Sequence, residues 1–183
     1  LASVSKSAAS SAKWPDRTHE GQGALLLTSN GLSTQPLKQA FFEAVPDTTT
    51  VSRKDGRIRV AYVPTALLAP SPDSTRSPGD AKRRRRYQAN KRARDMEADL
   101  GPSFQVTSVD IAEVAGAELE DVLRGSECVY VDGGNTFYLL YYMQQSGFGD
   151  IVQDMVCREG ALYVGRSAGS IITGQSASTA LWK

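Results

Sequence analysis

A serine placed between two glycines is the pattern with the clearest chemistry in this sequence. Residues 165–169 (Gly-Arg-Ser-Ala-Gly) follow the apolar run 161–164 and precede residues 170–172 (Ser-Ile-Ile). This order predicts a strand, a sharp turn with Ser167 at its tip and a helix, which is the context of a nucleophile elbow. The glycines allow a tight turn, and the helix would point backbone N–H groups and its positive end at an oxyanion.

A second glycine-rich turn, residues 133–136 (Gly-Gly-Asn-Thr), follows the apolar run 128–131. Two consecutive glycines let backbone N–H groups approach a ligand closely. Combined with the elbow, this turn could supply one oxyanion donor, and the N–H of Ala168 the other. Taken alone, these four residues are just as typical of ordinary turn chemistry.

A serine nucleophile also needs a general base within hydrogen-bond reach. The sequence contains one histidine, His19, which precedes the first predicted strand in a segment rich in serine and alanine. None of the 16 residues after Ser167 is His, Asp or Glu. Loss of triad members lowers the rate by several orders of magnitude, so we expect weak activity or none from this chain.

The elements that must position the two turns alternate between strands and helices. Apolar runs predict five strands, at residues 24–28, 57–63, 104–107, 128–131 and 161–164. Helical patterns lie between them, at residues 37–44, 80–100, 118–123, 137–145 and 151–158. This alternation indicates a mainly parallel sheet with helices on both faces, and functional groups at the carboxyl ends of its strands.

Composition fits one globular domain: 183 residues, 40% hydrophobic, 22% charged and a net charge of +1. The small net charge gives no general attraction to nucleic acid or to a membrane, and no apolar run is long enough to span a bilayer. One histidine and two separated cysteines argue against a structural metal. We expect Cys128 and Cys157 to be buried thiols in a reducing compartment.

Residues 1–22 are interpreted as a leader outside the fold, and residues 23–183 as the domain. The first 13 residues are rich in serine and alanine, with two lysines and no acid, which is typical of the end of an organelle transit peptide. A disordered extension, or an incomplete gene model, is the favoured alternative. The cytoplasm is the default location, with a plastid or mitochondrion as the alternative.

A basic run at residues 82–94 holds eight Lys and Arg side chains and no acid. Such runs occur in nuclear-localisation signals and in nucleic-acid patches. Acidic residues on both sides of the run, and Tyr87 as its one aromatic residue, favour a solvated helix face instead. The sequence therefore argues against a nucleic-acid partner.

The two turns, in this order and spacing, resemble the peptidase E (aspartyl dipeptidase) and cyanophycinase family. The resemblance is carried by residues 131–136 (Val-Asp-Gly-Gly-Asn-Thr) and 163–170 (Tyr-Val-Gly-Arg-Ser-Ala-Gly-Ser), with weaker similarity at 27–31 and 62–66. It implies the flavodoxin-like three-layer α/β sandwich shared with class I glutamine amidotransferases. It also implies a serine-type hydrolase of aspartyl dipeptides or related acidic peptides, without metal or organic cofactor.

By position within that family, Ser167 would be the nucleophile of an acyl-enzyme mechanism. Gly134 and Ala168 would form the oxyanion hole, with Gly133 as the alternative first donor. Asn135 would shape the turn, next to the bound substrate. Arg166 stands where an aromatic or small residue is expected; it could reach an acidic substrate, but a solvent-facing ion pair is the favoured interpretation.

The family's catalytic histidine and its orienting acid lie downstream of the nucleophile. We therefore expect a chain truncated at its C-terminus relative to the family, with an incomplete sheet whose open edge makes a homodimer possible. One alternative is a non-catalytic α/β module that binds a small acidic ligand at the two turns. Another is a nucleic-acid-associated protein that uses the basic run.

Overall fold

The computed structural model describes residues 23–45, 55–71, 77–174 and 176–182. The predicted leader and His19 lie outside these residues. The described strands are β1 (Ala24–Thr28), β2 (Ile58–Val63), β3 (Phe104–Ser108), β4 (Cys128–Val131) and β5 (Leu162–Arg166). The helices are α1 (Gln35–Ala44), α2 (Pro78–Leu100), α3 (Gly116–Arg124), α4 (Thr136–Ser146), α5 (Phe148–Arg158) and α6 (Ala168–Ile171), followed by a 3-10 helix (Ser178–Trp182).

The five strands form one sheet in the order β1-β5-β4-β2-β3, and every pair of neighbours is parallel. The prediction of a parallel α/β fold of flavodoxin-like architecture is therefore confirmed. Strand β4 is buried at all four of its residues, and β5 at its first four. Their uninterrupted apolar sequences follow from this burial, because both faces of a central parallel strand are covered.

Two separate cores flank the sheet, one on each face. On one face, α1 and α2 pack on alternate residues of the strands, among them Val60, Tyr62 and Tyr130. On the other face, α3, α4, α5 and α6 cover the intervening residues, among them Ala61 and Val129. The alternation follows the strand period of two and gives the three-layer sandwich.

Two elements are longer than their sequence patterns predict, and a helix cap explains the first of them. Helix α2 begins at Pro78, two residues before its predicted start, because Ser77 accepts a hydrogen bond from the N–H of Asp80 at 3.2 Å and proline suits the first helical position. Strand β5 extends to Arg166, two residues beyond its predicted end.

The prediction that both cysteines are buried is wrong for one of them. Cys128 is buried in β4, whereas Cys157 is exposed on α5. Met155 and Val152 occupy the inner face of α5, and helical geometry turns Cys157 away from that face. No helix in the described part of the chain has the length and apolar character needed to cross a membrane.

Candidate functional site

The two glycine-rich turns meet at the carboxyl ends of neighbouring strands. Strands β4 and β5 pair with Val131 opposite Gly165, so the turns that follow them are adjacent. A Cβ atom placed on Gly133 would lie 3.1 Å from the Cβ of Ser167 and 3.7 Å from its Oγ. The sequence prediction that both turns contribute to one place is therefore confirmed. Residues 132–135 and 165–169 are called the glycine rim below.

Ser167 has the strained backbone of a nucleophile elbow. Its φ is 48° and its ψ is −103°, and among the described residues it is the one non-glycine with a positive φ. Such conformations store energy and persist where the surrounding structure enforces them, often at functional sites. The helix that follows, α6, has only four residues. Stabilisation of an oxyanion there would come from individual N–H groups and not from a long helix dipole.

The glycines around Ser167 are required by space. A Cβ on Gly165 would lie 2.7 Å from the carbonyl oxygen of Gly169, and one on Gly169 would lie 2.2 Å from the carbonyl oxygen of Val131. Real Cβ atoms do not approach backbone oxygens so closely. The elbow thus packs backbone directly on backbone, which fixes the position of Ser167.

The elbow is also bound to the edge strand β1. The N–H of Ser167 donates to the carbonyl oxygen of Thr28 at 2.8 Å. The Oγ of Ser170 lies 2.8 Å from the carbonyl oxygens of Thr28 and Gly165 and accepts from the N–H of Thr28 at 3.0 Å. Ser170 is therefore a structural hydroxyl, three residues after the candidate nucleophile.

The turn that carries Gly134 rests on the loop after β2. Gly134 has a φ of 141°, and a Cβ there would lie 2.2 Å from the carbonyl oxygen of Ala66. The same oxygen accepts a hydrogen bond from the N–H of Asn135 at 2.8 Å. The Oδ1 of Asn135 accepts from the N–H of Tyr138 at 2.9 Å and caps α4. Asn135 thus shapes the turn, as predicted.

A buried carboxylate distinguishes the two glycines of this turn. Asp132, with 4% of its side chain exposed, accepts a hydrogen bond from the N–H of Gly133 at 2.7 Å. In the described part of the chain, no such bond engages the N–H of Gly134 or that of Ala168. This geometry favours Gly134 over Gly133 as the first donor of an oxyanion hole.

Asp132 is also the partner of Arg166. The Nη1 of Arg166 lies 3.0 Å from its Oδ1, and the hydroxyl of Tyr62 donates to its Oδ2. The arginine keeps 34% of its side chain exposed. The sequence predicts a solvent-facing ion pair at Arg166; the pair is present, but it is partly buried because its partner Asp132 is buried, and Arg166 neutralises the charge of Asp132 there. The sequence assigned Asp132 no role, although a carboxylate at the end of an apolar strand was the available signal.

A cavity of about 380 Å³ with both polar and apolar lining opens at this ion pair. It is lined in part by Asn30, Arg92 and Asp95, together with Asp132 and Arg166. Groups of both signs line it, so the cavity itself does not select an anion over a cation.

Three buried tyrosines near the glycine rim have hydroxyls whose pKa is raised. Burial raises the pKa of Tyr62, of Tyr130 and of Tyr163, and the nearby charge of Asp132 raises the pKa of the first two further. The hydroxyl of Tyr163 donates to the carbonyl oxygen of Gly169 at 2.7 Å. These hydroxyls therefore keep their protons, and can still donate them in hydrogen bonds, at pH values well above the ordinary pKa of tyrosine.

The basic run forms an exposed face of α2, with one exception. Lys82 pairs with Glu113, Arg83 with Asp80, and Lys91 with Asp95. Arg85 instead points inward and pairs with Asp110. Burial acts to lower the pKa of Arg85, but the hydrogen bonds and charge of Asp110 raise it above its ordinary value. Across the described residues, no cluster of His, Cys, Asp and Glu could hold a metal ion.

Known proteins resemble this chain in both sequence and fold. A peptidase E of Shewanella denitrificans is 38% identical over 82 residues, covering 45% of this chain and 32% of its own length. A candidate alpha-aspartyl dipeptidase of Drosophila melanogaster is 37% identical over 60 residues, covering 33% of this chain and 25% of its own length. The crystal structure of a candidate peptidase E protein from Listeria monocytogenes EGD-e matches with a TM-score of 0.52 at 26% identity, covering 84% of this chain and 63% of that one.

The matched part of this chain spans about a third of the length of the curated relatives. The sequence profile of peptidase family S51 matches residues 25–181, which include both turns of the glycine rim. With the elbow, the adjoining turn and the parallel sheet all in place, the chain belongs to peptidase family S51.

Proposed function

We propose that this protein is a serine peptidase that hydrolyses aspartyl dipeptides or related acidic peptides through an acyl-enzyme on Ser167. The observation that carries the proposal is the strained backbone of Ser167 directly beside the turn of Gly134. The names of the peptidase E and alpha-aspartyl dipeptidase relatives support the substrate class.

In this mechanism, the Oγ of Ser167 attacks the carbonyl carbon of the scissile peptide bond. The carbonyl oxygen becomes an oxyanion, and the N–H groups of Gly134 and Ala168 would stabilise it as the hydrogen-bond donors of an oxyanion hole. Collapse of this intermediate releases the amine of the leaving residue and leaves an ester on Ser167. Water then attacks the ester, releases the acidic residue and restores the serine.

Both the attack and the release of the amine need a group that takes up and returns the proton of Oγ. The described residues contain no histidine, because the single histidine of the sequence, His19, lies outside them. A histidine base for the proposed activity would therefore have to come from outside the described residues.

Labelling with a fluorophosphonate probe tests the proposal directly, because the probe reacts with activated serines. The 183-residue chain, and the longer chain if the gene continues past Lys183, should each be compared with their Ser167→Ala variants. Ser103→Ala is the matched control, since Ser103 is exposed at the start of the β3 segment, away from the glycine rim.

We expect labelling that Ser167→Ala abolishes and Ser103→Ala leaves unchanged, together with cleavage of an aspartyl dipeptide in preference to a lysyl dipeptide. Folded protein without labelling in any form would contradict the nucleophile assignment.

A second candidate function follows from the same two turns. Among the described residues, the N–H groups of Gly134 and Ala168 are engaged in no backbone hydrogen bond, and Arg166 ends β5 directly before the elbow. If no base reaches Ser167, the same donors would bind a small acidic ligand without cleaving it. Calorimetric titration with a non-hydrolysable aspartyl dipeptide would then show binding in folded protein that the probe does not label.

A further inference from the structure

Arg85 lies in a run of four arginines but is unlike its neighbours, because it is directed into the protein. Only 13% of its side chain is exposed, and 11% of the side chain of its partner Asp110. Its Nε and Nη2 donate to the two carboxylate oxygens of Asp110, the latter at 2.8 Å. A bidentate pair of this kind holds both side chains in one orientation.

The remaining nitrogen of Arg85 joins two further segments. Its Nη1 donates to the carbonyl oxygen of Leu68 at 2.7 Å and to the hydroxyl of Tyr138 at 2.9 Å. The guanidinium carbon also lies 5.3 Å from the centre of the Tyr138 ring, within the range of a cation–π contact. One side chain of α2 therefore contacts the loop after β2, the loop after β3 and the first turn of α4.

Asp110 extends these contacts to Thr65. The hydroxyl of Thr65 donates to its Oδ1 at 2.8 Å and accepts a hydrogen bond from the N–H of Ile111 at 3.1 Å. Thr65 is fully buried. The side chains of Thr65, Arg85, Asp110 and Tyr138 are called the arginine network below.

The turn at residues 132–135, which carries Gly134, is called the oxyanion turn below. The arginine network surrounds the segment that supports this turn. Thr65 and Leu68 lie on either side of Ala66, whose carbonyl oxygen receives the N–H of Asn135 and occupies the space where Gly134 has no side chain. Tyr138 lies one helical turn beyond Asn135 and is tied to it by the cap of α4. The contacts form a closed circuit through Arg85, Leu68, Ala66, Asn135 and Tyr138.

We infer that Arg85 is a positioning residue for the oxyanion turn: it holds the Ala66 segment against Gly134 and thereby orients the N–H of Gly134. This role rests on the proposed function where it concerns catalysis. The structural part, local order at residues 132–138, can be measured without any activity. Arg85 itself does not contact the substrate in this role.

The test is amide hydrogen exchange of the 183-residue chain, followed peptide by peptide. Arg85→Met keeps most of the side-chain length but removes the fork, and Arg85→Lys keeps the charge. Arg94→Met is the matched control, since Arg94 is exposed on the same helix. We expect exchange at residues 132–138 to accelerate at least about tenfold in Arg85→Met and less in Arg85→Lys, while β1 and β5 remain protected.

Equal exchange at residues 132–138 in Arg85→Met and Arg94→Met would overturn the inference. So would an acceleration spread evenly over the sheet, because that indicates general destabilisation. If Arg85→Met does not fold, the comparison of Arg85→Lys with Arg94→Met decides in the same way.

Labelling by the fluorophosphonate probe then separates this inference from the proposed function. If the unmodified protein is labelled, Arg85→Lys should lower the maximal labelling rate without changing the apparent affinity for the probe; a change in affinity alone would contradict positioning of the oxyanion turn. If neither the 183-residue chain nor the longer chain is labelled, the proposed function fails, while the exchange result still decides whether Arg85 orders the turn.

Discussion

The glycine rim and the arginine network both hold a turn at the carboxyl end of a strand, but they do so by different physical means. The glycine rim packs backbone on backbone, with glycines at every point of closest approach. The arginine network fills its space with long side chains and closes it with a buried ion pair. One region is therefore sensitive to added volume, and the other to lost hydrogen bonds.

This difference also decides what each region can do. The glycines of the rim have no side chain that could cover their N–H groups, and Gly134 is exposed, which suits the stabilisation of an oxyanion. The side chains of the arginine network bond to one another and to the backbone of Leu68, so they resist displacement. The two regions meet at Ala66, where the second supports the first.

The largest expected effect comes from high pH, which acts on the tyrosines around the glycine rim. Tyr62, Tyr130 and Tyr163 have pKa values raised by burial, while in the unfolded chain they titrate near 10. Above pH 10 the unfolded chain therefore releases protons that the folded chain keeps, and stability falls as pH rises. Three such groups together lower the free energy of unfolding by about 4 kcal/mol per pH unit.

Urea unfolding followed by circular dichroism between pH 9 and 11 would measure this fall. Tyr163→Phe should remove about a third of the slope that the three tyrosines contribute, and Tyr87→Phe, at an exposed position, is the matched control. A free energy of unfolding that stays constant up to pH 11 would show that the three hydroxyls are not held as the structure indicates.

A single methyl group should produce the next largest effect. In Gly169→Ala, the new Cβ would lie 2.2 Å from the carbonyl oxygen of Val131, so β4 and the elbow must separate. We expect a loss of about 3 kcal/mol in the free energy of unfolding, at the upper end for overpacking. Gly79→Ala is the same chemical change in the first turn of α2, where a Cβ meets no atom within 4 Å.

Chemical denaturation of the two variants makes the comparison. Gly79→Ala should leave stability unchanged or raise it by up to about 1 kcal/mol, because alanine is the better helix former. Similar denaturation midpoints for Gly169→Ala and Gly79→Ala would mean that the glycine rim is packed less tightly than the structure indicates.

The contrast between the two regions also explains how far the sequence could be interpreted. The strands and the two turns are local features, because a few consecutive residues are enough to recognise an apolar run or a glycine pair. The order of elements then placed both turns at one edge of the sheet. This is why Ser167 and the turn of Gly134 could be assigned to one place from the sequence alone.

The ion pairs could not be found in that way. Arg166 and Asp132 are 34 residues apart and Arg85 and Asp110 are 25 apart, and no local pattern joins them. Arg85 has the same chemistry as the arginines beside it, and only the rotation of α2 against the sheet turns it inward. The same reason accounts for Cys157, whose apolar neighbours indicated burial while the rotation of α5 exposed it.

The smallest expected effect tests the arginine network at its most buried hydroxyl. Thr65→Val keeps the shape of the side chain but removes the donor to Asp110 and the acceptor for the N–H of Ile111. Asp110 keeps Arg85 as its partner, but the buried N–H of Ile111 would be left unpaired, which should lower the free energy of unfolding by about 1–2 kcal/mol. Thr107→Val is the matched control, because Thr107 is exposed on β3 and valine suits a strand. Valine adds no volume at position 65. A loss of unfolding free energy in Thr65→Val that is absent from Thr107→Val would therefore show that this region depends on hydrogen bonds. Equal stability of the two variants would show that packing alone holds the Ala66 segment.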